Sequence, residues 1–267
     1  YEKLHPYGPK SNYEWHTTAH DRAMEAGIDD VGFGALYGLC DWHYDLLGTF
    51  YHAAHLEAVF GVGPHTISVP RIKPATGTTM EDFPHAVPDE DFKKLVAIIR
   101  MAVPYTGIIM STRESHEMRK TCLNLGVSQI SAGSCTGVGG YSAMAKGNTE
   151  GQVLQFAISD ERTPMEILKE LLEDGFIPSF CTACYRAGRT GDRFMAMAKN
   201  GSISNCCQPN ALVTLKEYAT DYGDEEFKEK ANKVIQENLD KIPNPKVKQD
   251  AINYLSKIEE GERDFRW

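Results

Sequence analysis

Apolar positions in the first half of the chain switch repeatedly between a strand pattern and a helical one. Asn12 can cap a helix over Tyr13 to Ala26, stopped by Gly27. Asp30-Val31-Gly32-Phe33-Gly34 then reads as a short strand that breaks into the Gly-rich turn GFGALYGL. Residues 41 to 60 read as helix, with Leu46, Leu47, Phe50, Tyr51, Ala54 and Ala58 near helical spacing. Ile67-Ser68-Val69 is a strand ended by Pro70, and 74 to 88 is a long Gly- and Pro-containing loop. Asp89 caps a helix over 91 to 101, with Phe92, Leu95, Ile98 and Ile99 on one stripe. Residues 107 to 110 form a strand, 114 to 125 a helix and 128 to 132 another strand.

Strands alternating with helices, at spacings of roughly 20 to 40 residues, predict a parallel sheet in an α/β fold. Four such units amount to half of an eight-fold (β/α) barrel, a fold whose functional groups sit at the C-terminal strand ends. Each predicted strand here is closely followed by Gly or a polar residue: Gly34, Arg71, Arg113 and Ser134. From Thr163 the pattern becomes helical. Thr163-Pro164-Met165-Glu166 is a capping box with Pro at the first helical position, and its helix ends near Gly175. Further helices are predicted near 211–222, 225–239 and 245–258, their charged faces reading as solvated surface. No internal repeat and no low-complexity segment interrupts this order.

Composition narrows the class. The 267 residues are 42% hydrophobic and 24% charged, as in soluble globular proteins, and allow one large domain or two. A net charge of −9 without a basic run argues against a nucleic-acid partner or an acidic membrane surface. No apolar run approaches the length of a membrane span. Seven cysteines, an odd count, read as cytoplasmic thiols and ligands, not as a disulfide framework. Tyr1 is not an initiator and no signal-peptide pattern follows it, so a truncated or processed start is expected.

Four of the cysteines crowd into Ser179–Asn210. Cys181 and Cys184 form a Cys-x-x-Cys, and Cys206 and Cys207 form an adjacent pair. A Cys-x-x-Cys brings two thiolates onto one loop, and a third from a distant loop can close the site. Such soft donors select zinc or iron–sulfur clusters over hard cations. Structural zinc normally takes four closed ligands. Three clear ligands and an adjacent spare leave a position free for another group. Arg186, Arg189, Arg193 and Lys199 can offset the charge of clustered thiolates.

Other positions stand out more weakly. His65 lies just before a strand in GVGPHTISVPR. Arg71 and Arg113 follow strands, where a guanidinium can fork onto a carboxylate or pair with a neighbour such as Glu114. Ser131 and Ser134 end the strand ISAGS. Cys135-Thr136-Gly137-Val138-Gly139-Gly140-Tyr141 lacks the spacing and acidic partner of a dinucleotide fingerprint, and reads as a flexible turn or a phosphate-free cofactor loop. Cys40, Cys122 and Cys135 read as buried thiols. His16, His20, His43, His52, His55 and His116 fall on helices in ordinary surface or core roles.

YEWHTTAHDRAMEAGIDDVGFGALYGL, GPHTISVPRIKPA, GIIMSTRE and SQISAGS, together with the C-terminal Cys-x2-Cys-x22-Cys, resemble the radical S-adenosylmethionine (SAM) aromatic amino acid lyases over nearly the whole chain. Within that family the cysteine set points to the tyrosine-cleaving branch that matures iron-only hydrogenase; the thiazole-synthesis tyrosine lyase is expected to lack it. The resemblance implies the second half of a radical SAM (β/α)8 TIM barrel over 1–145. A mainly helical C-terminal domain carrying an auxiliary iron–sulfur cluster would follow over 146–267. It implies a 5′-deoxyadenosyl radical, made at a first 4Fe–4S cluster, that abstracts hydrogen from tyrosine. The substrate then splits into p-cresol and dehydroglycine, and dehydroglycine is converted to carbon monoxide and cyanide at the auxiliary 4Fe–4S cluster. Cys181, Cys184 and Cys207 would hold the auxiliary cluster, and Cys206 misses the 22-residue gap. His65 would ligate an additional dangler iron carrying a free cysteine. Arg113 and Ser131 would hold the tyrosine carboxylate. Gly32, Gly34 and Ala35 would lie along SAM, with Arg71 in the same pocket.

The family's N-terminal Cys-x3-Cys-x2-Cys, which holds the SAM cluster, is nowhere in the sequence. The expectation is therefore the C-terminal part of a longer enzyme whose N-terminal half carries the second 4Fe–4S cluster, working with other hydrogenase maturation proteins. Two other classes stay open: a structural module closing Cys181, Cys184, Cys206 and Cys207 on zinc, and a non-catalytic Fe–S scaffold.

Overall fold

The computed structural model describes residues 1–75, 77–147 and 155–267, which divide into two compact units, Tyr1–Arg162 and Thr163–Trp267. In the first unit the single helix predicted over 13–26 is two, α1 (Tyr13–Thr17) and α2 (Ala19–Glu25). The break falls at a pair of threonines. Thr17 Oγ1 bonds the Tyr13 and Glu14 carbonyls at 2.9 and 3.2 Å, and Thr18 Oγ1 bonds that of Glu14 at 2.7 Å. Hydroxyls that back-bond in this way compete with the helical ladder.

Next come β1 (Gly32–Phe33), α3 (Trp42–Phe60), β2 (Thr66–Ser68), α4 (Asp89–Ala102), β3 (Gly107–Met110), α5 (His116–Asn124), β4 (Gln129–Ile130) and α6 (Gly140–Ala145). The strands form a four-stranded sheet in the order β1-β2-β3-β4, every pair parallel, as the strand–helix alternation predicts. Ile67, Val69, Ile108 and Met110 pack with Phe92, Leu95, Val96 and Ile99 of α4 into one core. Asp89, expected as the cap of α4, is its first residue, and Pro88 holds the cap position.

The α3 stripe is rotated from the predicted one. Trp42, Leu46, Thr49, Ala53 and Leu56 face inward, while Leu47 and Tyr51 are 55% and 75% exposed. Thr49 can turn inward because its hydroxyl lies 3.3 Å from that of buried Tyr37 and donates to the Asp45 carbonyl at 2.9 Å.

Two glycines of β1 and its turn are demanded by the sheet. A Cβ on Gly32 would lie 2.2 Å from Thr66 Oγ1, and one on Gly34 would lie 2.2 Å from the Ser68 carbonyl oxygen. The Ser68 obstacle is backbone and cannot swing aside. Gly34→Ala is therefore expected to cost about 1–3 kcal/mol through displacement of β1 from β2, read as a lowered midpoint in chemical denaturation. An unchanged midpoint would refute this close approach.

Residues 155–162, which fall in the 146–267 domain that the resemblance implies, hydrogen-bond within the first unit. The Ala157 N–H donates to Pro74 O at 2.8 Å, and the Ser159 and Asp160 N–H groups donate to Thr112 O at 2.9 and 3.2 Å.

The second unit contains α7 (Pro164–Glu173), α8 (Ala183–Arg186), α9 (Gly191–Lys199), α10 (Ser204–Tyr222), α11 (Glu225–Leu239) and α12 (Pro245–Glu259). The Thr163 capping box forms as predicted. Leu212, Val213 and Leu215 of α10 pack with Phe227, Val234 and Ile235 of α11 and Ala251 and Ile258 of α12. Sequence reasoning starts this helix after Pro209, because proline lacks the N–H of the ladder. The structure starts it before, with buried Pro209 inside. Cys206 and Cys207 thereby move from a loop to the first turn of a helix.

Candidate functional site

Each expected residue has a definite place in one of two regions. In the first unit the strand order puts Arg71, Arg113 and Ser131 just beyond the C-terminal ends of β2, β3 and β4, the side a parallel β/α fold uses for ligands. Arg113 and Ser131 follow neighbouring strands. The Arg113 guanidinium is half-buried and lies 3.6 Å over the ring of Phe156. Burial lowers its proton affinity, against an opposing pull from nearby Glu114. Among the described residues no ion pair to Arg113 is formed; Glu114 is committed to Arg71 and Lys73. A cation stacked on an aromatic ring, with no ion pair among the described residues, can receive a carboxylate.

Ser131 is held by its backbone. Its N–H donates to Met110 O at 3.1 Å, and its carbonyl accepts from Arg119, which is 1% exposed and also grips Asp160. Burial pushes the Asp160 carboxyl up, but hydrogen bonds from Arg162 and the charge of Arg119 outweigh this and hold it at about 2.

Arg71 is occupied by structure. Its Nε and Nη2 fork onto Glu114 at 2.9 and 2.6 Å, Nη2 reaches Asp89 at 2.6 Å, and Nη1 donates to Val87 O at 2.8 Å. Lys73 approaches the same Glu114 at 3.3 Å. This buried network ties the end of β2 to α4 and to the start of α5, and commits Arg71 to protein partners. Gly32 and Gly34 likewise have a packing reason independent of any ligand, and Ala35 leans on the core.

His65 lies at the opposite edge. Its N–H donates to Val31 O at 2.8 Å, and its carbonyl accepts from Gly107 at 2.9 Å, at the N-terminal ends of the strands. From His65 to Arg71 is six residues of extended chain, about 20 Å. The His65 Nδ1 stands 2.9 Å from Asp30 Oδ1, and both side chains are largely buried. A carboxylate against one ring nitrogen is the arrangement that orients the other toward a metal.

The second region is the thiol cluster. Cys184 lies on α8, Cys181 just before it, and Cys206 and Cys207 on the first turn of α10. The residue Cys207 keeps an exposed face, yet its thiol is crowded by protein atoms. Desolvation pushes it up to about 11, and the charges of Cys184, Cys181 and Cys206 add to this while Arg189 opposes. Cys181, Cys184 and Cys206 therefore lie within electrostatic reach of the Cys207 thiol. Among the described residues no three Cys, His, Asp or Glu side chains stand in the arrangement of a single-ion site. The donor set itself fits a soft cationic centre: mutually repelling thiols on a positive helix end beside Arg189, whose protons a metal would displace. Cys122 is buried, its thiol pushed up to about 12 by desolvation, while Cys40 and Cys135 are half-buried. The run from Cys135 forms a turn closed by Gly140 N–H to Gly137 O at 3.0 Å and leads into α6.

Phe156, Asp30 and the Arg119–Asp160 pair escape sequence reasoning. Nothing local marks an ordinary Phe, Asp or Arg; only long-range packing sets them beside Arg113, His65 and Ser131.

Fold and donor chemistry together define a class: a parallel α/β unit with charged strand ends, and a helical unit with a thiol cluster suited to iron–sulfur chemistry. Residues 68–177 match the Biotin and Thiamin Synthesis associated domain. The chain is 31% identical over 180 residues to the 2-iminoacetate synthase of Escherichia coli (strain K12), an alignment covering 67% of this chain and 46% of that protein. The corresponding Salmonella typhimurium protein is 32% identical over 182 residues. A crystal structure of HydG, described as a maturase of the [FeFe]-hydrogenase, superposes over 100% of this chain and 57% of its own, with a TM-score of 0.94 and 56% identity. HydG from Carboxydothermus hydrogenoformans superposes over 95% of this chain and 54% of its own, with a TM-score of 0.75 and 41% identity. The chain belongs to the family of HydG and 2-iminoacetate synthase. It spans about half the length of the curated relatives it matches.

Proposed function

We propose that this chain is the C-terminal portion of a cytoplasmic radical SAM lyase that cleaves tyrosine to p-cresol and dehydroglycine. Dehydroglycine then yields carbon monoxide and cyanide for an iron precursor of the hydrogenase active site. The observation that carries the reading is the Cys-x2-Cys-x22-Cys set of Cys181, Cys184 and Cys207, in a chain 56% identical along its whole length to a hydrogenase maturase. Cys181, Cys184 and Cys207 would hold the auxiliary 4Fe–4S cluster, and His65 would ligate an additional iron. SAM and the clusters, one of them on the N-terminal half, supply one-electron and radical chemistry when bound. Arg113 and Ser131 receive the tyrosine carboxylate, and Phe156 holds the guanidinium in place. Fixing the carboxylate orients the rest of the substrate without consuming the ring or amine contacts. Glycines 32 and 34 with Ala35 let the turn after β1 run alongside SAM. No helix among the described residues is long and apolar enough to cross a membrane.

The test is anaerobic turnover of the whole enzyme with tyrosine and SAM. p-Cresol is the expected product, and its absence would overturn the reading. Arg113→Ala is expected to lower kcat/KM for tyrosine about 100-fold, the scale of a lost charge-assisted pair. The double variant Cys181→Ala, Cys184→Ala is expected to keep p-cresol formation while losing carbon monoxide and cyanide.

A further inference from the structure

The short segment Asp264–Trp267 lies far along the chain from the cysteines, yet its hydrogen bonds end on residues close to them in sequence, Arg186, Arg189 and Asn210. Asp264 carries φ +73°, the one positive φ outside glycine among the described residues. The left-handed region is costly for most side chains and is kept where the surroundings impose it. Here the Asp264 N–H donates to Glu217 Oε1 of α10 at 2.8 Å, and the Phe265 N–H reaches the same oxygen at 3.4 Å. The Asp264 carboxylate forks onto Arg186, with the second bond at 2.8 Å, and also accepts from Arg266 at 2.9 Å. Arg186 is the last residue of α8, two positions after Cys184.

The other end of the segment repeats this grip. Arg189 donates to Trp267 O, and its own N–H donates to Cys184 O at 2.8 Å. Buried Asn210, three residues after Cys207, accepts from the Trp267 N–H at 3.0 Å. Phe265 stacks on Tyr254 of α12 with centroids 4.4 Å apart, and Trp267 lies 5.0 Å from the same ring. The segment is therefore anchored on α10 and α12 and holds the Cys184 helix through two arginines. In and just after that helix Ala183 is buried, whereas Tyr185, Arg186, Ala187 and Gly188 are exposed.

We propose that Asp264–Trp267 is a positioning strap that locks α8 against α10, holding Cys181 and Cys184 in register with Cys207. The proposal rests on the reading of these three thiols as the cluster ligands, and it assigns Asp264, Arg186 and Arg189 a role in holding that geometry before any metal is present. The strap itself takes no part in chemistry.

The test uses the full chain with Asp264→Gly, which keeps the left-handed backbone and deletes the carboxylate, and with Asp264→Asn, which tolerates that backbone and removes only the charge. In metal-free protein, hydrogen exchange across 183–190 is expected to quicken about tenfold in Asp264→Gly and less in Asp264→Asn, with α11 unchanged. Loss of iron to a chelator after anaerobic reconstitution is expected to quicken by a similar factor. Unchanged exchange across 183–190 would overturn the strap. Equal acceleration throughout α10–α12 would also overturn it, because the segment would then merely stabilise the unit. A wild-type protein that takes up no iron and sulfide would sink the cluster reading alone, since the exchange experiment decides the strap without metal.

Discussion

Replacing Cys207 with serine will strip iron and acid-labile sulfide from the anaerobically reconstituted protein, whereas Cys206→Ser will leave both in place. Consecutive residues on an α-helix point about 100° apart, so two adjacent cysteines on α10 cannot both face one centre. The Cys207 thiol feels the charges of Cys184, Cys181 and Cys206, in that order. The 22 residues between it and Cys184 match the family spacing. Three thiolates leave one iron of a 4Fe–4S cluster without a protein sulfur, the position at which small ligands can enter. The measurement is iron, sulfide and zinc content of both variants beside the wild type. Iron with matching sulfide lost only in Cys207→Ser supports the assignment. Stoichiometric zinc without sulfide, lost equally in both variants, would replace the lyase reading with a structural zinc module.

The second large effect is expected from Asp160→Ala. Asp160 and Arg119 are 2% and 1% exposed, and removing the carboxylate breaks a buried ion pair. Breaking such a pair costs about 3–5 kcal/mol, a large part of the stability of a unit this size. The pair has a pH signature of known sign. The Asp160 carboxyl is held at about 2 when folded, below its ordinary value of 3.8. The stabilisation it contributes is fully present above that ordinary value and drains away as pH falls toward about 2. Denaturant titration of the first unit should show a steeper loss of stability below pH 4 in the wild type than in Asp160→Ala. Because Arg119 also donates to the Ser131 carbonyl, the variant is further expected to raise KM for tyrosine in the whole enzyme. A variant within 1 kcal/mol of wild type would show that Arg119 finds another counterion.

Much of the architecture was legible before any coordinates. The alternation of short apolar runs with helical stripes led to a parallel sheet, and β3 occupies its predicted residues. The capping box at Thr163 formed because it is a local device, two hydrogen bonds made within one turn. The departures share one cause. α1 and α2 separate because two adjacent hydroxyls outcompete the helix. α3 turns Thr49 inward because a buried tyrosine hydroxyl waits for it, and α10 absorbs Pro209 because packing offsets one missing bond.

The candidate sites divide along the same line. Cys-x2-Cys-x22-Cys is a spacing, and spacing is written in the chain, so the thiol set could be named from letters alone. Arg71 could not be assigned that way: its carboxylate partner, Glu114, lies 43 residues away and buries the guanidinium in protein contacts. Arg113 differs only because Phe156, and no described acid, stands against it. By itself the sequence determined the alternation of elements, the local caps and the soft-donor set, since each depends on residues within a few turns of one another or on a fixed count between them. Tertiary structure alone decided that Arg113 forms no ion pair among the described residues, that His65 and Arg113 stand at opposite ends of the strands, and that Asp264 reaches back to the Cys184 helix. Those outcomes depend on long-range burial, where a charge takes whatever partner the fold brings within reach.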